Sequence, residues 1–350
     1  MAEVVAMHLE RASQFASKSS RRPRAALGRT GVLAIVPPYT GEVTTKLTVV
    51  IPATDGRVTL ERALAAVHGA ARAPEQVIVV DRPSSFGPAA ARNLGSRQAT
   101  GDVLVFVDAD VEVHRDAFAR IRDAFANDRN LDAIFGSYDD NPGADGIVSD
   151  FRNLLHHHVH QEGAGAATTF WAGLGAIRRD VFLALGGFDE DRFPNSSVED
   201  IELGMRLHAQ GSRIVLDPAI QGKHLKDWTL ASMVKTDLFR RGVPWLRLLF
   251  ENQPGSMALN LGWRHRIATG ASLALLVGLV RRNPLLVGST LAFLIALDRR
   301  FYLLLLRQRG APVMAWGVPL HVVHRLTSAA AVPIAITGHL FGTRGHASSP

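Results

Sequence analysis

From Leu47 to Ser137 the chain alternates short, nearly uninterrupted apolar runs with amphipathic stretches, and that alternation admits few folds. LTVVIP (47–52), QVIVVD (76–81), DVLVFVDAD (102–110) and LDAIFGS (131–137) are the apolar runs. They are too short for helices and offer no polar face to water, so they read as strands covered on both sides. Between them, TLERALAAVHGA (59–70) and HRDAFARIRDAFAND (114–128) show helical spacing. GPAAARNLGSRQA (87–99) reads as a helix opened by Pro88, whose missing N–H is no loss in a first turn. Strand, helix, strand, helix at this spacing predicts an α/β fold with a doubly wound, mostly parallel sheet of Rossmann-like type.

Charge separates the chain into three parts. Residues 1–46 carry a net +4, residues 47–260 a net −6, and residues 261–350 a net +9 within the whole-chain +7. A nucleic-acid-binding surface would put the positive charge on the folded core, so nucleic acid is not expected as a partner. The basic excess sits instead on the most hydrophobic part, as in segments that seek membranes. Ile267–Val280 and Leu285–Leu297 are apolar runs of 14 and 13 residues separated by RRNP, each short of the about 20 a single span needs. They suit a short or tilted hairpin, or helices lying in the interface, and a buried soluble helical subdomain is the alternative. FYLLLLRQRG (301–310) and a long apolar stretch to Phe341 follow. Basic residues flank both ends of both runs, so orientation is not fixed by them.

The expected organisation is a basic, partly disordered leader over 1–46, a catalytic domain over 47–255 and a membrane-associated helical tail over 256–350. The first 20 residues contain no apolar run of signal-peptide type. A chain ending near Pro254 is expected to be soluble. There is no cysteine, which excludes a disulfide scaffold, a thiolate metal site and a cysteine nucleophile.

In an open α/β sheet, ligands collect beyond the carboxyl ends of the strands. Asp55, Asp81, Asp108 and Asp110 all fall there. Asp108-Ala109-Asp110, directly after VLVFV, suits a divalent cation bridging to a diphosphate. Further on, Gly173 and Gly175 would let backbone approach a ligand. Glu199 and Asp200 open a helix whose Ile201, Leu203 and Leu207 face a core. Ser196-x-x-Glu199 fits a capping box, which leaves Asp200 in the first turn, where a general base could be aimed. His156, His157, His158 and His160 form a cluster that reads as a solvated or acceptor-side helix face rather than a metal site.

The ordered set TVVIPATD, VIVVD, GPAAARNLG, FVDAD, GLGAIRRDVFLALGGFDE and EDIELGMRL resembles glycosyltransferase family 2, whose fold is GT-A, over about residues 47–245. The hydrophobic tail resembles that of some bacterial membrane-bound members. The resemblance implies an inverting transfer of a sugar from a nucleotide-diphosphate donor to a hydroxyl of a lipid-linked or cell-envelope glycan. It also implies a divalent metal (Mn2+ or Mg2+) and a membrane location with the catalytic domain facing the cytoplasm. By position, Pro52, Ala53 and Asp55 would line the nucleotide site, Asp81 would face the base, and Asp108 would lie by the ribose or metal. Asp110 would be a metal ligand, His224 in GKHLKDW would complete the metal site, and Asp200 would be the base for the acceptor hydroxyl.

Two departures bear on this. Asp81-Arg82-Pro83-Ser84 replaces the usual Asp-Asp-Gly-Ser, and FRRGVPW (239–245) only loosely echoes the Gln-x-x-Arg-Trp of processive synthases. Single-sugar transfer is therefore favoured over polymerisation. The competing expectations are a nucleotidyltransferase of related fold, and a catalytically silent membrane scaffold. The missing Lys-bearing Gly-rich signature counts against the first, and the retained Asp110 and Asp200 count against the second.

Overall fold

The computed structural model describes residues 45–54, 58–83, 85–251 and 262–342, with side chains as far as Gly338. Asp55 and residues 1–44 of the expected basic leader, which hold the Val32–Val36 run and Arg21, Arg22 and Arg24, lie outside these residues. The four expected strands are β1 (Leu47–Pro52), β2 (Gln76–Val80), β3 (Val103–Val107) and β5 (Ala133–Tyr138). The expected helices between them are α1 (Leu60–His68), α2 (Pro88–Gln98) and α3 (Ala117–Asn127).

Four strands were not anticipated: β4 (Val111–Val113), β6 (Gly165–Ala167), β7 (Leu174–Arg178) and β8 (Ile214–His224). The eight strands form one sheet in the order β2-β1-β3-β7-β5-β8-β4, with β6 pairing on β8. β1 is parallel to β2 and β3, and β5 is parallel to β8. β7 runs antiparallel to both neighbours, β3 and β5. The sheet is therefore mixed and mostly parallel, with β7 reversed at its centre and β4 and β6 antiparallel to β8. That reversal matters for the site: the loop leading into β7 starts at the edge where β1, β2 and β3 end.

Both sheet faces are covered, which is why the strands lack polar alternation. Val49, Ile51, Val105 and Val107 pack with Val67 of α1 and with Phe118, Ile121 and Phe125 of α3. The alternate positions, Val50, Leu104, Phe106 and Phe135, pack with Phe182, Phe188, Leu203 and Leu207. Phe182 is on the short α5 (Arg179–Ala184), while Leu203 and Leu207 are on α6 (Glu199–Ala209).

α4 (Ile147–Glu162) crosses from the sheet to the C-terminal helices. After β8 come α7 (Leu230–Lys235), a π-helical segment at Thr236–Gly242, α8 (Val243–Glu251), α9 (Trp263–Val280), α10 (Pro284–Leu297) and α11 (Arg299–Gly342). Phe151, Leu154 and Leu155 of α4 share a core with Trp228, Met233, Phe301, Tyr302, Leu305, Val313 and Leu320. The tail is thus packed into the body that holds the sheet.

By length and composition, Arg299–Gly338 is long and apolar enough to cross a membrane. It is not one rod. Gly310 has φ 83° and ψ 179°, a backbone state open chiefly to glycine, and it divides α11 into two arms. The arms fold back on each other. Tyr302 Oη lies 3.2 Å from His321 Nδ1, Asp298 pairs with Arg325, and a Cβ on Gly317 would stand 2.4 Å from Leu305. α9 and α10 form a second hairpin, joined through Ala268, Leu275 and Leu294, with Val322 of α11 packed against them. Its tip leaves Val280 and Leu285 76% and 84% exposed, and Trp263 is 71% exposed.

Candidate active site

Because β2, β1 and β3 are parallel neighbours, their carboxyl ends lie along one edge, and Asp81, Pro52, Ala53 and Asp108 stand there together. Pro52 and Ala53 are buried, and Ala53 N–H donates to Val80 O at 2.9 Å. Asp108 N–H donates to Gly173 O at 3.1 Å, which ties the end of β3 to the start of β7. Val111 registers with His224 across β4 and β8, so the His224 ring comes to Asp110, with Nε2 3.5 Å from Oδ2.

His224 is held on its other sides. Its Nδ1 lies 2.6 Å from Asn153 Oδ1 of α4, and its ring stacks on Tyr138 at 4.1 Å and 11°. With Asn153 Oδ1 as acceptor, Nδ1 donates to it and Nε2 is left facing the Asp110 carboxylate. A carboxylate–imidazole pair supported from behind in this way has the chemistry of a cation site. Among the described residues no third His, Asp or Glu completes such a group. Burial pushes the Asp110 carboxyl up, but His224 and then Lys226 overcome this and leave it below the ordinary range.

Asp200 sits at the first turn of α6. Its Oδ2 accepts from Ala172 N–H at 3.2 Å and its Oδ1 from Ile201 N–H at 2.8 Å. A Cβ on Gly204 would stand 2.1 Å from Phe170 N, so glycine there lets α6 press against the 169–172 loop and fixes Asp200 relative to β7. Burial, then the adjacent Glu199 carboxylate, raises the Asp200 pKa to about 6 against the opposing pull of Arg92, Ala172 N–H and Arg241.

Two sequence expectations are corrected here, those for the Ser196–Glu199 capping box and for the histidine cluster. The Ser196–Glu199 capping box does not form: α6 is preceded by Val198 with no side-chain cap. Glu199 instead accepts from Ser197 N–H at 2.8 Å and from Arg92 Nη1 at 3.1 Å. A Cβ at Gly173 or Gly175 would meet Trp171 at 2.3 Å, so both positions also need glycine for internal packing. The histidine cluster is not a solvated face. His157 Nδ1 and His160 Nδ1 pair with Tyr138 O at 2.8 Å and Gly136 O at 2.9 Å, which binds α4 to β5. The His156 ring lies among Tyr138, His160 and Trp171 at 4.4, 4.1 and 4.9 Å.

Sequence reasoning missed Arg92, Tyr138, Lys226 and Arg241. Arg92 carried the only available signal, an arginine inside an alanine-rich helix that otherwise looks apolar. Lys226 lies over the Trp228 ring at 4.4 Å and near Asp110 and Asp108. Arg241, on the π-helical segment, is near enough to Asp200 and Tyr138 to favour the ionised form of each. The site is therefore a group of carboxylates (Asp108, Asp110, Asp200) faced by Arg92, Lys226, Arg241 and His224.

Residues 48–186 match the family model for glycosyl transferase family 2. The poly-beta-1,6-N-acetyl-D-glucosamine synthase of Staphylococcus aureus strain COL is 27% identical over 177 residues, covering 48% of this chain and 40% of the relative. The same protein from strain MRSA252 gives the same figures. The chain thus matches well under half the length of these curated relatives. Among solved structures, the mannosyltransferase PcManGT from Pyrobaculum calidifontis, in complex with GDP-Man and Mn2+, has a TM-score of 0.46 at 16% identity, covering 86% of this chain and 81% of that one. GalNAc-T7 with UDP, GalNAc and Mn2+ has a TM-score of 0.40 at 17% identity, covering 53% and 44%.

Proposed function

We propose that this chain is an inverting glycosyltransferase that moves a single sugar from a nucleoside-diphosphate donor to a hydroxyl of a lipid-linked or cell-envelope glycan. The observation that carries the reading is the convergence of Asp108 and Asp110, within the stretch that matches the family 2 model, with His224 and Asp200 from beyond it on one sheet edge. The donor would lie along the ends of β2, β1 and β3, with Asp81, Pro52 and Ala53 toward the nucleoside.

Asp110 and His224 fit a divalent cation, because two protein ligands suffice where phosphate oxygens supply the rest. Bound there, the cation would neutralise the departing diphosphate. Lys226 and Arg241 supply further positive charge on the same side. Asp200 accepts the proton of the acceptor hydroxyl as its oxygen bonds to the anomeric carbon, and the bond from that carbon to the diphosphate breaks on the opposite face. Configuration inverts in this single displacement, so no covalent nucleophile is required.

Asp110→Asn keeps the shape and removes the charged ligand. It is expected to weaken Mn2+-dependent donor binding by about tenfold or more, following the 1–3 kcal/mol scale of a lost charged contact. Calorimetry with and without Mn2+ reads this, and wild-type affinity in the variant would remove Asp110 from the metal site.

The exposed apolar surface of α9 and α10 supports placement at a bilayer, with the basic 261–350 segment favouring anionic lipid. The full chain is expected to sediment with membranes and to resist a high-salt wash. Full release by salt alone would indicate attachment through charge rather than apolar burial.

A further inference from the structure

The group that most constrains this site touches neither sugar nor phosphate in the reading above. Arg92, on α2, is 4% exposed. Its Nη2 lies 2.7 Å from Asp108 Oδ1, and its Nη1 lies 3.1 Å from Glu199 Oε1. The Glu199 side chain is as buried as the arginine, whereas that of Asp108 is 31% exposed. One guanidinium thus bridges the carboxylate at the end of β3 and the carboxylate beside Asp200. The Phe188 ring lies 5.4 Å from its centre. The next residue, Asn93, donates to Phe188 O at 2.8 Å and to Glu190 Oε2 at 2.7 Å, and accepts from Phe188 N–H at 2.9 Å. Two successive side chains of α2 therefore fasten the 188–199 segment to the strand ends.

We infer that Arg92 is a positioning residue that sets both the orientation of Asp108 and the ionisation of Asp200, the latter by neutralising Glu199. The inference rests on the proposed role of Asp200 as base. The physical reason is that Glu199 and Asp200 are adjacent carboxylates in a buried setting, and two such charges cannot both persist without a cation. Glu199 is faced by Arg92 and Ser197 N–H, and its oxygens are taken up by them. Asp200 is faced by Glu199 on its own helix, Arg92 from α2, Arg241 from the π-helical segment and Ala172 N–H from the loop before β7. Removing the Arg92 charge leaves Glu199 free to repel the charge on Asp200, which keeps Asp200 protonated when it should accept. It also frees Asp108 Oδ1, so the donor side loses its fixed carboxylate.

The test is the pH dependence of turnover in the full-length protein for wild type, Arg92→Gln, Arg92→Lys and the double variant Arg92→Gln/Glu199→Gln. A base that must be ionised gives an acid limb, which lies near pH 6 in wild type. In Arg92→Gln the limb is expected to move up by about one unit, so turnover falls about fivefold at pH 6 beyond any uniform loss, and that excess falls below about twofold at pH 8. Arg92→Lys keeps the charge but not the fork, so the limb should stay while the donor KM rises. The double variant removes both buried charges and should return the limb to its wild-type position.

A loss of turnover equal at every pH in Arg92→Gln would overturn the inference, as would a double variant whose limb stays displaced. Should Arg92→Gln fail to fold, Arg92→Lys and the double variant decide the matter by the same criteria. Failure of the base assignment is distinguished separately: Asp200→Asn would then retain turnover whatever the Arg92 variants do.

Discussion

Asp200→Asn is expected to lower turnover by roughly 10²–10⁴ while donor affinity stays within a few-fold of wild type. The amide keeps the shape of the side chain and can still accept from Ala172 N–H, but it cannot take the acceptor proton. The donor is held from the ends of β2, β1 and β3 and by Asp110, away from this helix. Wild-type turnover should itself fall as the medium is acidified through about pH 6, where Asp200 becomes protonated. Stability runs the other way. A carboxyl whose folded pKa, about 6, lies above its ordinary 3.8 contributes stability that is complete below pH 3.8 and lost as pH rises through about 6. Asp200→Asn should therefore show no loss of melting temperature at pH 7, and its stability should vary less between pH 4 and 7 than that of wild type. Turnover within a few-fold of wild type would remove Asp200 from the catalytic residues. Glu199→Gln serves as a control for the neighbouring charge.

Deleting the chain after Glu251 should abolish a stable fold rather than release a soluble enzyme. The deletion uncovers Phe151, Leu154, Leu155, Trp228 and Met233, whose partners Phe301, Tyr302, Leu305, Val313 and Leu320 are on α11. At about 1.5–3 kcal/mol for each large apolar side chain, the loss is comparable with the about 5–15 kcal/mol that holds a typical domain together. It also strips His324 from Asp237, which otherwise pairs with Arg152 at 2.6 Å and with His324 at 2.7 Å. Asp237 lies in the first turn of the Thr236–Gly242 segment that also carries Arg241, so the cationic side of the site loosens too. Detergent-free expression, light scattering and a melting curve check the expectation. A monodisperse, cooperatively melting truncation that binds donor would show that the shared core is dispensable.

The strands and helices up to Tyr138 were legible because buried parallel strands leave uninterrupted apolar runs and their helices leave a clear period. The carboxylates at the strand ends were legible for the same reason, since the end of an apolar run is visible in the sequence. The direction of β7 was not, because Leu174–Arg178 has the same texture whichever way it runs. The role of Glu199 was misread because a capping box and a buried ion pair use the same residue type, and only the approach of Arg92 from 107 residues away decides between them. The histidines of α4 looked solvated in sequence, since nothing in the string shows Tyr138 O and Gly136 O waiting beneath them.

The fold-back of α11 at Gly310 has a consequence for how the protein is made. Phe301, Leu305, Val313 and Leu320 cover α4, yet they follow it by about 150 residues, which at a synthesis rate of about 5–20 residues per second is a delay on the order of ten seconds. During that interval the apolar face of α4 has emerged from the ribosome without its cover. A nascent chain in that state is prone to aggregate unless a chaperone or a membrane surface shields the face. Slowed translation between α4 and Gly310 should then lower the yield of folded enzyme, and a membrane-targeted ribosome should restore it.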